Sequence, residues 1–143
     1  MLDKPAFAKA VLDAADQCDH PLEEEGGVLL ARKDDYRFVK IKNKHKGSHT
    51  AISLYEADKL ELGKLLFDRY KEGWEICASF HTHPSFSPYP SNLDLDTLFQ
   101  GFKHNVIYAA RNHGVFSYST WENDQSVLKE IVTREELSKT QNE

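Results

Sequence analysis

The apolar positions of this chain fall into two rhythms. After Pro5, whose fixed φ suits a first helical turn, Phe7, Val11, Ala14, Ala15 and Cys18 recur at helical spacing and predict a helix over about 5–18. Leu62, Leu65, Leu66 and Tyr70 form a second stripe and predict a helix over about 56–71, closed by Gly73. Between them Gly26-Gly27 precedes a short all-apolar run, Val28-Leu29-Leu30-Ala31, of the kind that forms a buried strand. Asp34-Asp35 marks a turn, and Arg37 to Lys42 reads as a strand with Val39 and Ile41 on one face. Ile52 to Leu54 is read as a further short strand.

Trp74 to Phe80 reads as a central strand that runs directly into His81-Thr82-His83-Pro84. Pro84, Pro88 and Pro90 keep the next segment extended and non-helical. A third helix is expected from Asp94 to Phe102, then strands at Val106 to Ala110, Val115 to Tyr118 and Val127 to Val132. The polar stretch Arg134 to Glu143 is expected to start as a helix and fray. Strands interleaved with about three helices give an α/β or α+β fold class, and the close spacing of the late strands favours antiparallel pairing.

At 143 residues, with no repeat or linker, the chain is expected to be one domain spanning 1–143. Forty per cent hydrophobic and 29% charged residues is a soluble globular composition, and no apolar run approaches the roughly 20 residues of a membrane-spanning helix. Met1-Leu2-Asp3-Lys4-Pro5 lacks the pattern of a signal peptide. A net charge of −5 argues against broad binding to nucleic acid or to an anionic membrane. Cys18 and Cys77 stand in no metal-like spacing and make no disulfide framework, so a cytoplasmic setting is expected.

His81 and His83 stand two apart at the end of a strand, so both imidazoles project from one face and can reach one ion. Ten residues beyond Pro84, Asp94 offers a carboxylate. Two imidazoles and a carboxylate suit catalytic zinc, with a fourth position for a water whose pKa falls to about 7. Such chemistry also needs a carboxylate that is not a ligand, to move the proton; Glu23-Glu24-Glu25 is the place to look. Each group also has a plain structural role open to it. Ser91 and Asp94 have the spacing of a capping box, Asp96 is a substitute ligand, and three successive glutamates ordinarily form a solvated face. His45 and His49 are expected in a solvated loop, and His20, His104 and His113 in structural roles.

Taken together, His81-Thr82-His83-Pro84, six residues, Ser91, two residues and Asp94 resemble the His-x-His-Pro-x6-Ser-x2-Asp signature of the JAMM (MPN+, JAB domain) zinc metalloproteases. Upstream, Glu24-Glu25-Gly26-Gly27 resembles the Glu-x-x-Gly strand of that family and singles out Glu24 over Glu25. The resemblance spans about residues 5–132, and its specific part is these two segments. It departs from the family at Ala31, where glycine is common, and at Thr82, where serine is frequent.

The resemblance implies a compact, prokaryotic-type member: a curved, mostly antiparallel sheet packed between helices, similar to the cytidine-deaminase arrangement, with the site at the sheet's edge. It implies one Zn2+ per chain held by His81, His83 and Asp94. Glu24 would deprotonate the zinc water and reprotonate the leaving amine, and Ser91 would help to hold the developing oxyanion. The implied reaction is hydrolysis of a peptide or isopeptide bond after the C-terminal tail of a ubiquitin-like or sulfur-carrier protein. That tail is expected to bind as an added strand. The competing class is a non-catalytic interaction scaffold, which is expected to break the ligand set; here the set is whole. A zinc deaminase would need His-x-Glu and Pro-Cys-x-x-Cys, and the chain has neither.

Overall fold

The structure, a computed structural model, describes residues 2, 4–97, 102–121 and 124–141. Its chain order is α1 (Pro5–Gln17), β1 (Gly26–Arg32), β2 (Asp35–Ile41), α2 (Lys59–Lys71), β3 (Glu75–His83), α3 (Asn92–Thr97), β4 (His104–Ala109), β5 (Gly114–Trp121), β6 (Asp124–Thr133) and α4 (Arg134–Gln141). The strands form one six-stranded sheet in the order β2-β1-β3-β4-β5-β6. Every neighbouring pair is antiparallel except β3 and β4. A parallel pair cannot be closed by a tight turn; it needs a crossover. That crossover, residues 84–103, contains α3 and carries Asp94 back over the end of β3.

The two rhythms of the sequence explain the two faces of the sheet. On one face α1 buries Phe7, Ala8, Val11 and Ala14 against Leu29, Ala78, Phe80, Val106 and Val115. On the other, Val28, Leu30, Ile41 and Trp74 meet Leu62 and Leu65 of α2. Alternation along β3 then leaves Ser79, His81 and His83 opposite α1, where Tyr55, Ile107 and Phe116 form a small separate cluster. Gly26 and Gly27 stand where backbones crowd. A Cβ at Gly26 would collide with the carbonyl of Phe80, and one at Gly27 with that of Val39.

Two expectations are corrected. Ile52 to Leu54 is not a strand: His49–Ile52 forms a single 3-10 turn, and its Ala51 carbonyl accepts from Glu24 N–H at 2.7 Å. The second helix starts at Lys59 rather than near 56, because the Asp58 side chain caps it by accepting from Glu61 N–H at 3.0 Å. The closing stretch starts as a helix, as expected. It is helical through Gln141, because Leu137 is 1% exposed in the core beside α1 and Arg134 pairs with Asp16 at 2.8 Å. Residues 98–101 of the expected third helix and residues 142–143 lie outside the described residues.

The glycines provide a paired test. Gly27→Ala drives a methyl into the Val39 carbonyl and is expected to cost about 1–3 kcal/mol of unfolding free energy. Gly63→Ala, mid-helix in α2 with nothing within 4 Å of its Cβ, is expected to gain about 0.5–1 kcal/mol. Urea unfolding of both variants, followed by circular dichroism, reads the two signs.

Candidate metal centre

The strand phase predicted for the histidines brings both rings to one place. His81 Nε2 and His83 Nε2 lie 3.2 Å apart at the C-terminal end of β3, an interior strand rather than a lateral edge of the sheet. Asp94, in the first turn of α3, places Oδ2 at 3.0 Å from His83 Nε2 and Oδ1 at 3.3 Å from His81 Nε2. Glu24, immediately before β1, places Oε1 at 3.8 Å from His81 Nε2. One donor atom from each of the four residues lies within 4.8 Å of all the others, and all four side chains are buried. The structure thus brings Glu24, His81, His83 and Asp94 together.

The three glutamates separate cleanly. Glu24 is buried, whereas Glu25 pairs with Lys40 at 2.9 Å and Glu23 accepts from Gly47 N–H at 3.2 Å. Ser91 is both things the sequence allowed. Its N–H donates to Asp94 Oδ2 at 2.9 Å and its Oγ accepts from Asp94 N–H at 3.1 Å, so a capping box presents the carboxylate to the histidines. The side chain of Asp96 lies outside the described residues. His45 pairs with Glu56 at 2.9 Å, His113 with the Tyr108 hydroxyl at 2.6 Å, and His20 Nδ1 accepts from Leu22 and Glu23 N–H.

The arrangement asks for a positive charge. His83 Nδ1 lies 2.9 Å from the Ser87 carbonyl, which can only accept, so the proton of the neutral ring sits on Nδ1. Its Nε2 lone pair then faces a carboxylate oxygen and a second imidazole nitrogen. A proton or a cation must lie among them. Among the described residues Glu24 Oε1, Asp94 Oδ1 and His81 Nδ1, buried in the same cluster, have no hydrogen-bond partner. Two imidazoles, a carboxylate and unsatisfied carboxylate oxygens are the donor set of a divalent transition metal, and these residues fit one.

Electrostatics in the absence of an ion agree. Burial pushes the Glu24 carboxyl up to about 8, only partly offset by His83. Burial lowers His81, against the pull of Asp94. For His83 burial acts downward too, but the Asp94 bond, the Glu24 charge and the Ser87 carbonyl together raise it above an ordinary imidazole. Asp94 is raised by burial, yet the bonds from His81 and His83 hold it well below the usual carboxylate range.

The sequence did not reveal the supports of this cluster. Tyr55 stacks on His81 with ring centroids 6.1 Å apart and planes 9° apart, and its hydroxyl donates to the Ile41 carbonyl at 2.9 Å. Buried Asn43 donates from Nδ2 to the carbonyls of Glu24 and Leu54, both at 2.9 Å, fastening the glutamate's backbone to the Tyr55 segment. Thr82 ties β3 to the same place: its Oγ1 accepts from Glu25 N–H at 3.1 Å, a bond that needs only a hydroxyl. No local pattern marks Asn43 or Tyr55, because their partners are distant in sequence.

Two outcomes are expected. Zinc titrated by calorimetry binds at one equivalent, His83→Ala and Asp94→Ala lose it, and Glu24→Gln retains it. A cation at the site favours the ionised Glu24 carboxylate, whose proton is held up to about pH 8 without it, so protons are released on binding and the apparent enthalpy changes between buffers of different ionisation enthalpy.

Residues 6–124 match the family model of prokaryotic homologs of the JAB domain. No curated protein matches the chain. Among solved structures, it is similar to protein DSY2949 from Desulfitobacterium hafniense, at 22% identity and a TM-score of 0.64, covering 85% of this chain and 86% of that one. A protein from Salinibacter ruber follows at 20% identity and a TM-score of 0.50, with 88% and 85% covered. AF2198, a JAB1/MPN domain protein from Archaeoglobus fulgidus, gives 19% identity and a TM-score of 0.41, with 91% and 84% covered. With the match running from α1 to the start of β6, the chain belongs to the prokaryotic JAB-domain family.

Proposed function

We propose that this protein is a zinc-dependent metalloprotease or isopeptidase that cleaves the amide bond after the C-terminal tail of a ubiquitin-like or sulfur-carrier protein. The observation that carries this reading is Glu24, a second buried carboxylate beside the three-residue donor set, with an oxygen that has no hydrogen-bond partner among the described residues. A structural metal site needs no such group; a hydrolytic one does.

His81, His83 and Asp94 would hold the zinc through Nε2, Nε2 and a carboxylate oxygen. The zinc would supply Lewis acidity and an acidified water. Glu24 would take up the proton and pass it on to the departing amine; burial raises its carboxyl to about 8, which makes its carboxylate a better proton acceptor near neutral pH. The Ser91 Oγ accepts from the Asp94 amide, which leaves its own hydrogen free to donate to the oxygen that turns negative at the carbonyl carbon.

A protein substrate is favoured by the surroundings. Glu24, His83 and Ser91 line an open cleft together with Leu22, Ile52 and Tyr89. Those three apolar side chains are 61%, 45% and 56% exposed and form a rim suited to a partner's surface. Since β3 is interior, an incoming tail must lie across the strand ends, where the crossover loop offers backbone for pairing. Free Cys18 and Cys77 suit work in the cytoplasm. The competing reading is a non-catalytic interaction domain; the complete donor set and the spare glutamate favour catalysis.

Zinc-loaded protein incubated with a panel of ubiquitin-like and sulfur-carrier fusions, read by mass, is expected to release the carrier at its terminal glycine. Glu24→Gln is expected to keep its zinc and lose about 10²–10⁴-fold in rate. Ser91→Ala is expected to keep its zinc and slow by about 10²-fold. A loaded wild type that is as inert as Glu24→Gln towards the whole panel supports the scaffold.

A further inference from the structure

One cation on the cleft wall has no role in the chemistry above. Arg111 lies in the turn between β4 and β5 and lines the cleft with Glu24, His83 and Ser91. Its backbone is fixed to the strand that bears the histidines. Ala109 pairs with His83, Ala110 N–H donates to the His83 carbonyl at 2.9 Å, and Arg111 N–H donates to the Ser85 carbonyl at 3.2 Å. The turn is buttoned from its other side as well: the Asn112 side chain donates to the Phe86 carbonyl and accepts from Gly114 N–H at 3.0 Å.

The guanidinium itself is unclaimed. Its centre lies 5.7 Å from the Phe86 ring, and among the described residues no carboxylate pairs with it. It is the only lysine or arginine among the residues lining this cleft. A permanently charged, planar fork held on a fixed turn beside a reaction centre suits one ligand chemistry above others, a carboxylate bound through two parallel N–H bonds.

We propose that Arg111 is a specificity-determining residue that binds a carboxylate of the substrate next to the scissile amide. This rests on the hydrolase reading of the same cleft. Two sources supply that chemistry: the α-carboxylate of a leaving group one residue long, or an acidic side chain close to the cleaved bond. An uncharged lysine-isopeptide junction supplies neither.

The test is binding without turnover, on zinc-loaded Glu24→Gln protein and on the same protein carrying Arg111→Gln, with zinc content measured for both. Three peptides serve as probes, ending in Gly-Gly-Ala free acid, Gly-Gly-Ala amide and Gly-Gly-Asp amide. With Arg111 present, the free acid is expected to bind at least about tenfold more tightly than the Ala amide, as for a charge-assisted pair. With Arg111→Gln that preference is expected to vanish while zinc stays at one equivalent. If the Asp amide matches the free acid, a side-chain carboxylate suffices; if it matches the Ala amide, the α-carboxylate is the one read.

Equal binding of all three peptides, or no binding at millimolar concentration, overturns the proposal. So does a preference that survives Arg111→Gln, since that places the carboxylate on the metal instead. Failure of the hydrolase reading looks different, because the wild type is then inert toward every fusion whatever the peptides do.

Discussion

Two imidazole nitrogens 3.2 Å apart, facing a buried carboxylate, cannot coexist without a proton or a cation among them. Every nearby part of the fold serves that constraint. The rings approach because they stand two residues apart on one strand, and the carboxylate because a parallel strand pair compels the chain to cross over. Burying these groups is costly unless something compensates for their charge, and the protein supplies polar partners for only some of the atoms. Among the described residues the deficit falls on the oxygens of Glu24 and Asp94, where an ion would be bound, and on Nδ1 of His81.

Rigidity around the cluster comes from unlike sources. Glycines at 26 and 27 let β1 press against β3 and β2, which sets Glu24 beside a close backbone approach. Asn43 then fastens the backbone of Glu24, and Tyr55 lies flat on His81. A backbone and a ring so held lose little further freedom on binding a ligand, which favours a preorganised site.

Much of this was legible in the chain itself. The period-two placement of His81 and His83 predicted a shared face, and the glycines following Glu24 separated it from two identical neighbours. The capping spacing of Ser91 and Asp94 was a true structural signal, and the same turn of α3 brings Asp94 beside His81 and His83. Other features were hidden by range. Asn43 and Tyr55 contact Glu24 and His81 across 19 and 26 intervening steps of sequence (43 − 24 and 81 − 55), where no local pattern reports them. The 3-10 turn at His49–Ile52 was misread because Ile52-Ser53-Leu54 carries β-like residues too few to override the contact of Ala51 with Glu24. The start of α2 was a different kind of miss, since Asp58-x-x-Glu61 carried a cap in plain view.

The Ser87 carbonyl that accepts from His83 belongs to the proline-rich stretch bordering the cleft. It fixes which nitrogen is left electron-rich, so the posture of a surface loop sets the basicity of a buried ring. A chain pressing on that stretch would therefore alter how the two rings could hold an ion without touching it, so that docking at the surface and affinity in the interior would be two readings of a single conformation.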